Sequence, residues 1–274
     1  MIPKIIHYCW FSFSTPPIYP EDVRKCIHSW KEKLPDYEIM LWNADNFDVN
    51  ICTYVKEAYQ EKKYAFVSDY VRLWALYNYG GIYLDSDIEV LKSFDELLNN
   101  TAFTGFETES SVATCIFASE KGNPLFKQFM NDYQGRHFII SEGQYDMTPN
   151  PVPITKRLLE HGLKLNGTTQ KLDLITVYEE TCFCPFNPNR KSGDCFTEKT
   201  YCNHHFNGSW KNAVSVNEKK YLNKKAKYEK ILGKHLGWRM CSIVSLMKEK
   251  GLIEGLKLAS KLFKDDVMRL CIHK

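Results

Sequence analysis

The sequence predicts an α/β protein, and three observations carry that prediction. Short apolar runs of β character alternate with helical patterns along the chain. Within one such pattern Phe66, Tyr70, Leu73 and Tyr77 recur at i, i+4, i+7 and i+11, an apolar stripe of 3.6-residue period that Gly80-Gly81 brings to a stop. A hydrophobic fraction of 44% and an aromatic content of 14% supply a packed core. At 274 residues the chain fits one α/β domain with appendages or two small domains.

In chain order, Lys4 to Trp10 is a first strand with Trp10 at its end. Ligands of open α/β sheets bind beyond the carboxyl ends of strands, so Trp10 is either a stacking surface for a base or a core aromatic. Phe11 to Pro20 is a loop rich in Ser and Pro, and Glu21 to Lys33 is a helix. Tyr37 to Trp42 is a second strand, closed by a turn at Asn43-Ala44-Asp45. Asp48 to Gln60 reads as helical, and Glu61-Lys62-Lys63 is a solvated link into the helix that begins at Tyr64.

Asp69 and Arg72 sit three apart beside the apolar stripe of that helix, so their side chains emerge together at its edge. After Gly80-Gly81, the run Ile82-Tyr83-Leu84 is a short strand delivering Asp85 and Asp87 at its C-terminal end. Carboxylates at i and i+2 of an extended chain face the same way, so they are either solvated or bridged by a cation. Paired hard oxygen ligands suit Mg²⁺ or Mn²⁺, with bound phosphates completing the shell. Taken alone, Asp-x-Asp is as readily a solvated turn or helix cap.

Further on, Ile88 to Leu91 continues extended, and Ser93 to Leu98 has the layout of a capping box opening one helical turn. Ala102 to Phe106 and Val112 to Ala118 are two more strands. Glu107, at the end of the first of these, either reaches a donor or acceptor or is a surface carboxylate. Asn123 to Tyr133 is a helix with Pro in its first turn. Residues 141–153 form a proline-stiffened loop, Thr155 to His161 a helix, and Leu172 to Val177 another strand. Residues 200–210 then offer a distinct chemistry. Imidazole is a good ligand for Mn²⁺, and Ser209 and Trp210 carry hydroxyl and indole donors able to close over a diphosphate. The plainer reading is a strand with two surface histidines. Alternation along a strand puts His204 and His205 on opposite faces, so they do not both bind one ion.

The segments Ser68-Asp69-x-x-Arg72 and Gly80-Gly81-Ile82-Tyr83-x-Asp85-x-Asp87 resemble the core of the sugar transferases with a DXD motif. That family includes initiating α-mannosyltransferase-like and capsular polysaccharide enzymes and is related to the catalytic domain of large clostridial glucosylating toxins. The resemblance covers residues 1–106, extends in weaker form to 210 and stops there. It implies a GT-A fold, a Rossmann-like mixed sheet flanked by helices, over residues 1–214. It also implies a nucleotide-sugar donor (UDP-linked by the toxin likeness), a divalent metal, retention of anomeric configuration and a glycan or lipid-linked glycan acceptor. By position, Trp10 matches a tryptophan that stacks on uracil, Asp69 and Arg72 hold sugar hydroxyls, and Tyr83, Asp85, Ser209 and Trp210 contact the donor. Asp85, Asp87 and His204 are the metal ligands implied. Glu107 and Asn150 fall on the acceptor side, although Asn150-Pro151 stands where the family has Gly-Pro.

Composition sets the remaining bounds. The N-terminus lacks the basic-then-apolar layout of a signal peptide, and no apolar run spans a bilayer, which points to the cytoplasmic side. Ten cysteines in such a chain are expected to be reduced. Cys182, Cys184, Cys195 and Cys202 cluster in sequence but lack the paired C-x₂₋₄-C spacing of a structural zinc site, so buried or incidental thiols are the expectation. Residues 211–274 hold 16 Lys+Arg against 6 Asp+Glu, a balance of +10 in a chain whose total is +3, which leaves −7 for residues 1–210. The basic tail, residues 215–274, carries no nucleic-acid motif or stacking platform. Leu252, Leu256, Ala259 and Phe263 follow helical spacing opposite Lys250, Lys257, Lys261 and Lys264. That layout fits equally a helix lying on an anionic membrane and one packed on the catalytic body.

Two other functions compete. Ile-Tyr-Leu-Asp-Ser-Asp also resembles the signature of haloacid-dehalogenase-type phosphohydrolases, which need the nucleophile on the first strand and a distal acidic pair. A non-catalytic nucleotide-sugar or glycan binding module is the third reading.

Overall fold

The computed structural model describes residues 1–12, 17–141, 144–186, 195–208 and 223–230, with isolated helical positions at 240, 243, 244, 247 and 260. Ser209, Trp210 and the tail positions from Lys250 to Lys264 named above lie outside the described residues. The chain divides into two compact units, one of Met1–Phe11 with Pro20–Ala213 and one of Ser12–Tyr19 with Val214–Lys274. In the second, residues 223–230 are helical and Lys225 faces Glu229 one turn on, at 3.8 Å. No helix among the described residues is long and apolar enough to cross a membrane.

The first unit starts with β1 (Ile5–Cys9), α1 (Glu21–Lys33), β2 (Glu38–Trp42), α2 (Thr53–Gln60) and α3 (Tyr64–Tyr79). It continues with β3 (Gly81–Leu84), β4 (Ile88–Val90), β5 (Ala102–Thr108), β6 (Ser111–Val112), β7 (Ile116–Ser119) and α4 (Pro124–Asn131). It ends with β8 (Ile139–Ser141), β9 (Gln144–Tyr145), α5 (Pro151–Glu160), β10 (Gln170–Lys171), β11 (Thr176–Tyr178) and β12 (Cys202–His204). The main sheet has the order β10-β11-β5-β7-β3-β1-β2, with β6 paired to β5. β1 runs parallel to both neighbours, β2 and β3, whereas β7 is antiparallel to β3 and β5. The chain leaves β1 for β2 on one side and returns to β3 on the other. That reversal is the place where ligands bind in open α/β sheets, and Trp10 and Asp85 follow the carboxyl ends of β1 and β3 there. A separate antiparallel pair, β4 with β12, sets His204 opposite Ile88.

α3 is held more deeply than its single stripe suggests. Phe66, Tyr70 and Leu73 are buried, but so are Val67, Val71, Ala75 and Leu76 on adjoining faces. Arg72 falls inside this wider buried surface and does not emerge at the edge of the stripe. Gly80 (φ +70°) caps the helix and Gly81 (φ +107°) opens β3. A Cβ on Gly81 would lie 2.6 Å from the Ile5 carbonyl oxygen, so the close approach of β3 to β1 requires glycine there. His7 ties the same corner together. Its Nε2 donates to the Gly80 carbonyl at 2.7 Å, and its Nδ1 accepts from the Trp42 indole at 3.1 Å. With Nδ1 accepting, the ring is the neutral Nε2–H tautomer, and burial lowers its pKa from 6.5 to about 4.

Several expected boundaries shift for identifiable reasons. α2 begins at Thr53, not Asp48, because the Asp48 carboxylate accepts from the Asn50 backbone and forms a turn. α5 begins at Pro151, inside the expected loop, since first-turn prolines forfeit only amide protons that have no helical partner. Ser93 accepts from the Asp95 amide, but Glu96 bonds the Tyr201 hydroxyl, so a single 3₁₀ turn replaces the capping box. The strand expected from Val112 to Ala118 breaks between Val112 and Ile116. There the Ala113 amide donates to Gly105, while the Thr104 hydroxyl lies 2.7 Å from the Ala113 oxygen and 2.9 Å from that of Ile116.

Candidate metal and donor site

That break in the strand anchors the site. The Thr114 carbonyl accepts from Arg72 Nη1 at 2.7 Å, and the Cys115 carbonyl accepts from the Asp85 amide at 2.7 Å. Arg72 Nε donates to the Ser68 carbonyl, and Nη2 lies 3.0 Å from Asp69 Oδ1 and 3.3 Å from Asp85 Oδ1. The guanidinium also stacks over the Tyr83 ring at 4.7 Å, and the Tyr83 hydroxyl donates to Asp85 Oδ1 at 2.8 Å. One cation at 4% exposure thus orients two carboxylates and a phenol through acceptors fixed by three segments. A planar fork can do this and a point-charge ammonium cannot.

The second half of the site arrives from β12. His204 is buried, with Nε2 3.4 Å from Asp87 Oδ1, whereas His205 is exposed and pairs with Glu89. Phe206 (φ +52°) turns the chain back, its ring 4.0 Å from the His204 ring, so that the Asn207 amide donates to Asp87 Oδ2. Left-handed backbone at a bulky residue is uncommon and marks a turn that its surroundings hold in place. Sequence reasoning misses Asn207, although it lies within the distinctive stretch 200–210. Thr114 and Cys115 offer no signal at all, because their contribution comes through backbone carbonyls at a strand break.

The electrostatics separate the carboxylates. Burial raises the carboxyls of Asp69, to about 7, and of Asp85, against the opposing pull of Arg72. For Asp87 burial is outweighed by the hydrogen bonds from His204 and Asn207, and the group is lowered. Burial also raises Glu107, which lies within electrostatic reach of His204 and Asp85. His204 is raised despite its burial. The Cys115 thiol beside it is itself held well above its ordinary range and hence uncharged, so the Asp87 carboxylate is what favours the imidazolium.

Asp69 and Asp85 share the Arg72 cation, Asp87 faces His204, and Glu107 lies within electrostatic reach of His204 and Asp85. Donor atoms of Asp85, Asp87 and His204 all lie within 4.8 Å of one another, and two hard oxygens with one imidazole nitrogen fit Mn²⁺ or Mg²⁺. Trp10 is half-buried at the end of β1 with its amide bonded to Trp42. Asn150 is buried at the start of α5, where its amide donates to the Asp69 carbonyl and accepts from the Tyr133 hydroxyl. The phosphohydrolase reading wants its aspartates on the first strand, and this pair follows β3.

The mixed sheet flanked by helices, with an acidic pair following β3, is the α/β architecture that the sequence predicts. Residues 20–104 match the family described as the glycosyltransferase sugar-binding region containing DXD motif. The chain is 31% identical over 135 residues to inositol phosphoceramide mannosyltransferase 3 of Schizosaccharomyces pombe, covering 48% of this chain and 37% of that one. It is 30% identical over 134 residues to the mannosyl phosphorylinositol ceramide synthase CSH1 of Saccharomyces cerevisiae, covering 46% and 34%. The chain therefore spans about a third of the length of these relatives. Among solved structures, the PaToxG glycosyltransferase aligns with a TM-score of 0.41 at 18% identity, over 58% of this chain and 69% of that one. An active-site mutant of LgtC aligns with a TM-score of 0.35 at 11% identity, over 84% and 99%.

Proposed function

We propose that this protein is a metal-dependent glycosyltransferase that moves a hexose from a nucleotide-sugar to a glycan or lipid-linked glycan, with retention at the anomeric carbon. The observation that carries the reading is the convergence of Asp85, Asp87 and His204 beside the Arg72–Asp69 pair at the carboxyl ends of β1 and β3. The segment that matches the sugar-binding family, residues 20–104, holds Asp69, Arg72, Asp85 and Asp87 but not His204, and relatives of the chain are named inositol phosphoceramide mannosyltransferases. Those names favour a hexosyl donor and a glycolipid acceptor, and assembly of bacterial surface polysaccharide is one setting with such acceptors.

Asp85, Asp87 and His204 would hold a Mn²⁺ or Mg²⁺ ion, which when bound neutralises the leaving diphosphate as a Lewis acid. Arg72 fixes Asp69 and Asp85 in one orientation before substrate arrives, so no reorganisation is needed during reaction. Asp69, its carboxyl raised to about 7, can accept from or donate to a sugar hydroxyl at neutral pH. Trp10 offers an aromatic surface at the end of β1 for the base. No side chain among those placed at the site stands as a covalent nucleophile. The acceptor oxygen therefore attacks from the face the diphosphate leaves, one C1–O bond breaking as the other forms and the proton passing to the diphosphate.

The test is a screen of UDP- and GDP-hexoses for Mn²⁺-dependent hydrolysis by the full chain. At least one donor should turn over, and the D85N/D87N double variant should not. Turnover of every donor at the level of that variant would refute the proposal.

A further inference from the structure

A second group of metal-capable donors lies behind His204. Cys115 precedes β7, Cys184 follows the 3₁₀ turn Glu180–Cys182, and His204 ends β12, so three distant segments bring two thiols and an imidazole together. Their donor atoms lie within 4.8 Å of one another, and all three residues are buried. Of the four cysteines that cluster in sequence between 182 and 202, only Cys184 joins this group. Its companion, Cys115, comes from 69 positions away.

The geometry is that of a partly assembled tetrahedral site. Two thiolates on one zinc, each about 2.3 Å from the metal at a tetrahedral angle, stand about 3.8 Å apart. Cys115 Sγ and Cys184 Sγ are 3.8 Å apart. His204 completes the pattern. Its Nε2 faces the Asp87 carboxylate, while its buried Nδ1 has no hydrogen-bond partner. A histidine that ligates through one nitrogen and donates its other N–H to a carboxylate is the usual outer-shell arrangement around zinc. Two thiolates also balance the charge of a divalent ion, which a buried site requires.

We propose that Cys115, Cys184 and His204 Nδ1 form a binding site for a borderline-soft divalent cation of the zinc type, distinct in ligand class from the carboxylate site. Such an ion would tie β12 to the break before β7. It would also commit His204 Nε2–H to Asp87, and so withdraw that nitrogen from an ion held by Asp85 and Asp87. The site itself does not rest on the glycosyltransferase reading; only this antagonism does.

The test is titration of the reduced, metal-free full chain with Co²⁺, whose thiolate charge-transfer and tetrahedral d–d absorption report sulfur ligation. One equivalent should develop both bands, and Zn²⁺ should bleach them. C115S and C184S should each weaken Co²⁺ binding by roughly tenfold or more. C182S and D85N, neither of which removes a ligand or the Asp87 carboxylate behind His204, should leave the bands in place, which separates this site from the carboxylate one. Absence of the charge-transfer band, or its persistence in both C115S and C184S, overturns the proposal. Should either variant fail to fold, the wild-type chain decides. Zn²⁺ must then protect Cys115 and Cys184 from alkylation as mapped by mass spectrometry, and unprotected thiols overturn the site.

Discussion

Replacing His7 by Phe isolates one proton-linked contribution to stability, because this ring is held neutral between the Gly80 carbonyl and the Trp42 indole. Its pKa in the folded chain is about 4 against an ordinary 6.5, so between those values the unfolded chain binds more protons. The stabilisation is fully present above 6.5 and is lost as pH falls toward 4. Each unit of pKa difference corresponds to about 1.4 kcal/mol, giving a full span of about 3 kcal/mol. Lowering the pH from 7.5 to 5 removes about 2 kcal/mol of it. H7F abolishes that term and adds a pH-independent cost from the unpaired indole and carbonyl, about 1–3 kcal/mol for each. Urea unfolding of both proteins at pH 7.5, 6 and 5 reads the difference directly, with titrations elsewhere cancelling. The gap between wild type and H7F should narrow by about 2 kcal/mol across that range. Parallel stability curves would show that His7 titrates in the folded state as it does unfolded, and the buried neutral ring would be wrong.

Asp87→Asn should lower Mn²⁺-dependent donor hydrolysis by on the order of 10²-fold or more; wild-type turnover in EDTA would exclude the metal. Arg72→Met leaves Asp69 and Asp85 without their shared cation and should destabilise the fold by about 3–5 kcal/mol. Arg72→Lys should restore little of it, since an ammonium cannot reach the four acceptors that the guanidinium meets, and full rescue in thermal melts would refute that geometry. Gly122→Ala, at φ +77° with open space around it, should cost about 1–2 kcal/mol. Gly81→Ala must in addition push β1 aside and should cost distinctly more; equal losses in denaturant melts would mean that β1 and β3 do not approach as described.

The stretch from Tyr64 to Asp87 was legible because its signals are local. A 3.6-residue period, a glycine pair and a short apolar run name a helix, a stop and a strand without reference to the rest of the chain. The depth of Arg72 was not legible, since a stripe of four residues marks one buried face and α3 buries several. Asn150 illustrates the same limit, its role resting on a hydrogen bond to a carbonyl 81 positions away. Cys182, Cys184 and Cys202 are buried free thiols, as the sequence led one to expect, but which thiols meet was not legible. Cys184 meets Cys115, 69 positions away at the strand break, and β12 pairs with β4, neither of which spacing along the chain encodes.

The β4–β12 pairing gives this protein a timetable. Asp85 and Asp87 leave the ribosome before His204, which faces Asp87 and follows 117 residues behind it. At about 5–20 residues per second the interval is several seconds to tens of seconds, far longer than a helix or hairpin needs to form. During that time β1, α3 and β3 can dock and Arg72 can gather Asp69 and Asp85, but β4 has an open edge and Asp87 lacks its imidazole. The grouping of Asp85 and Asp87 with His204 is complete only when β12 arrives. Release of a chain halted short of residue 202 would therefore yield a domain with its acidic pair in place and no imidazole facing it.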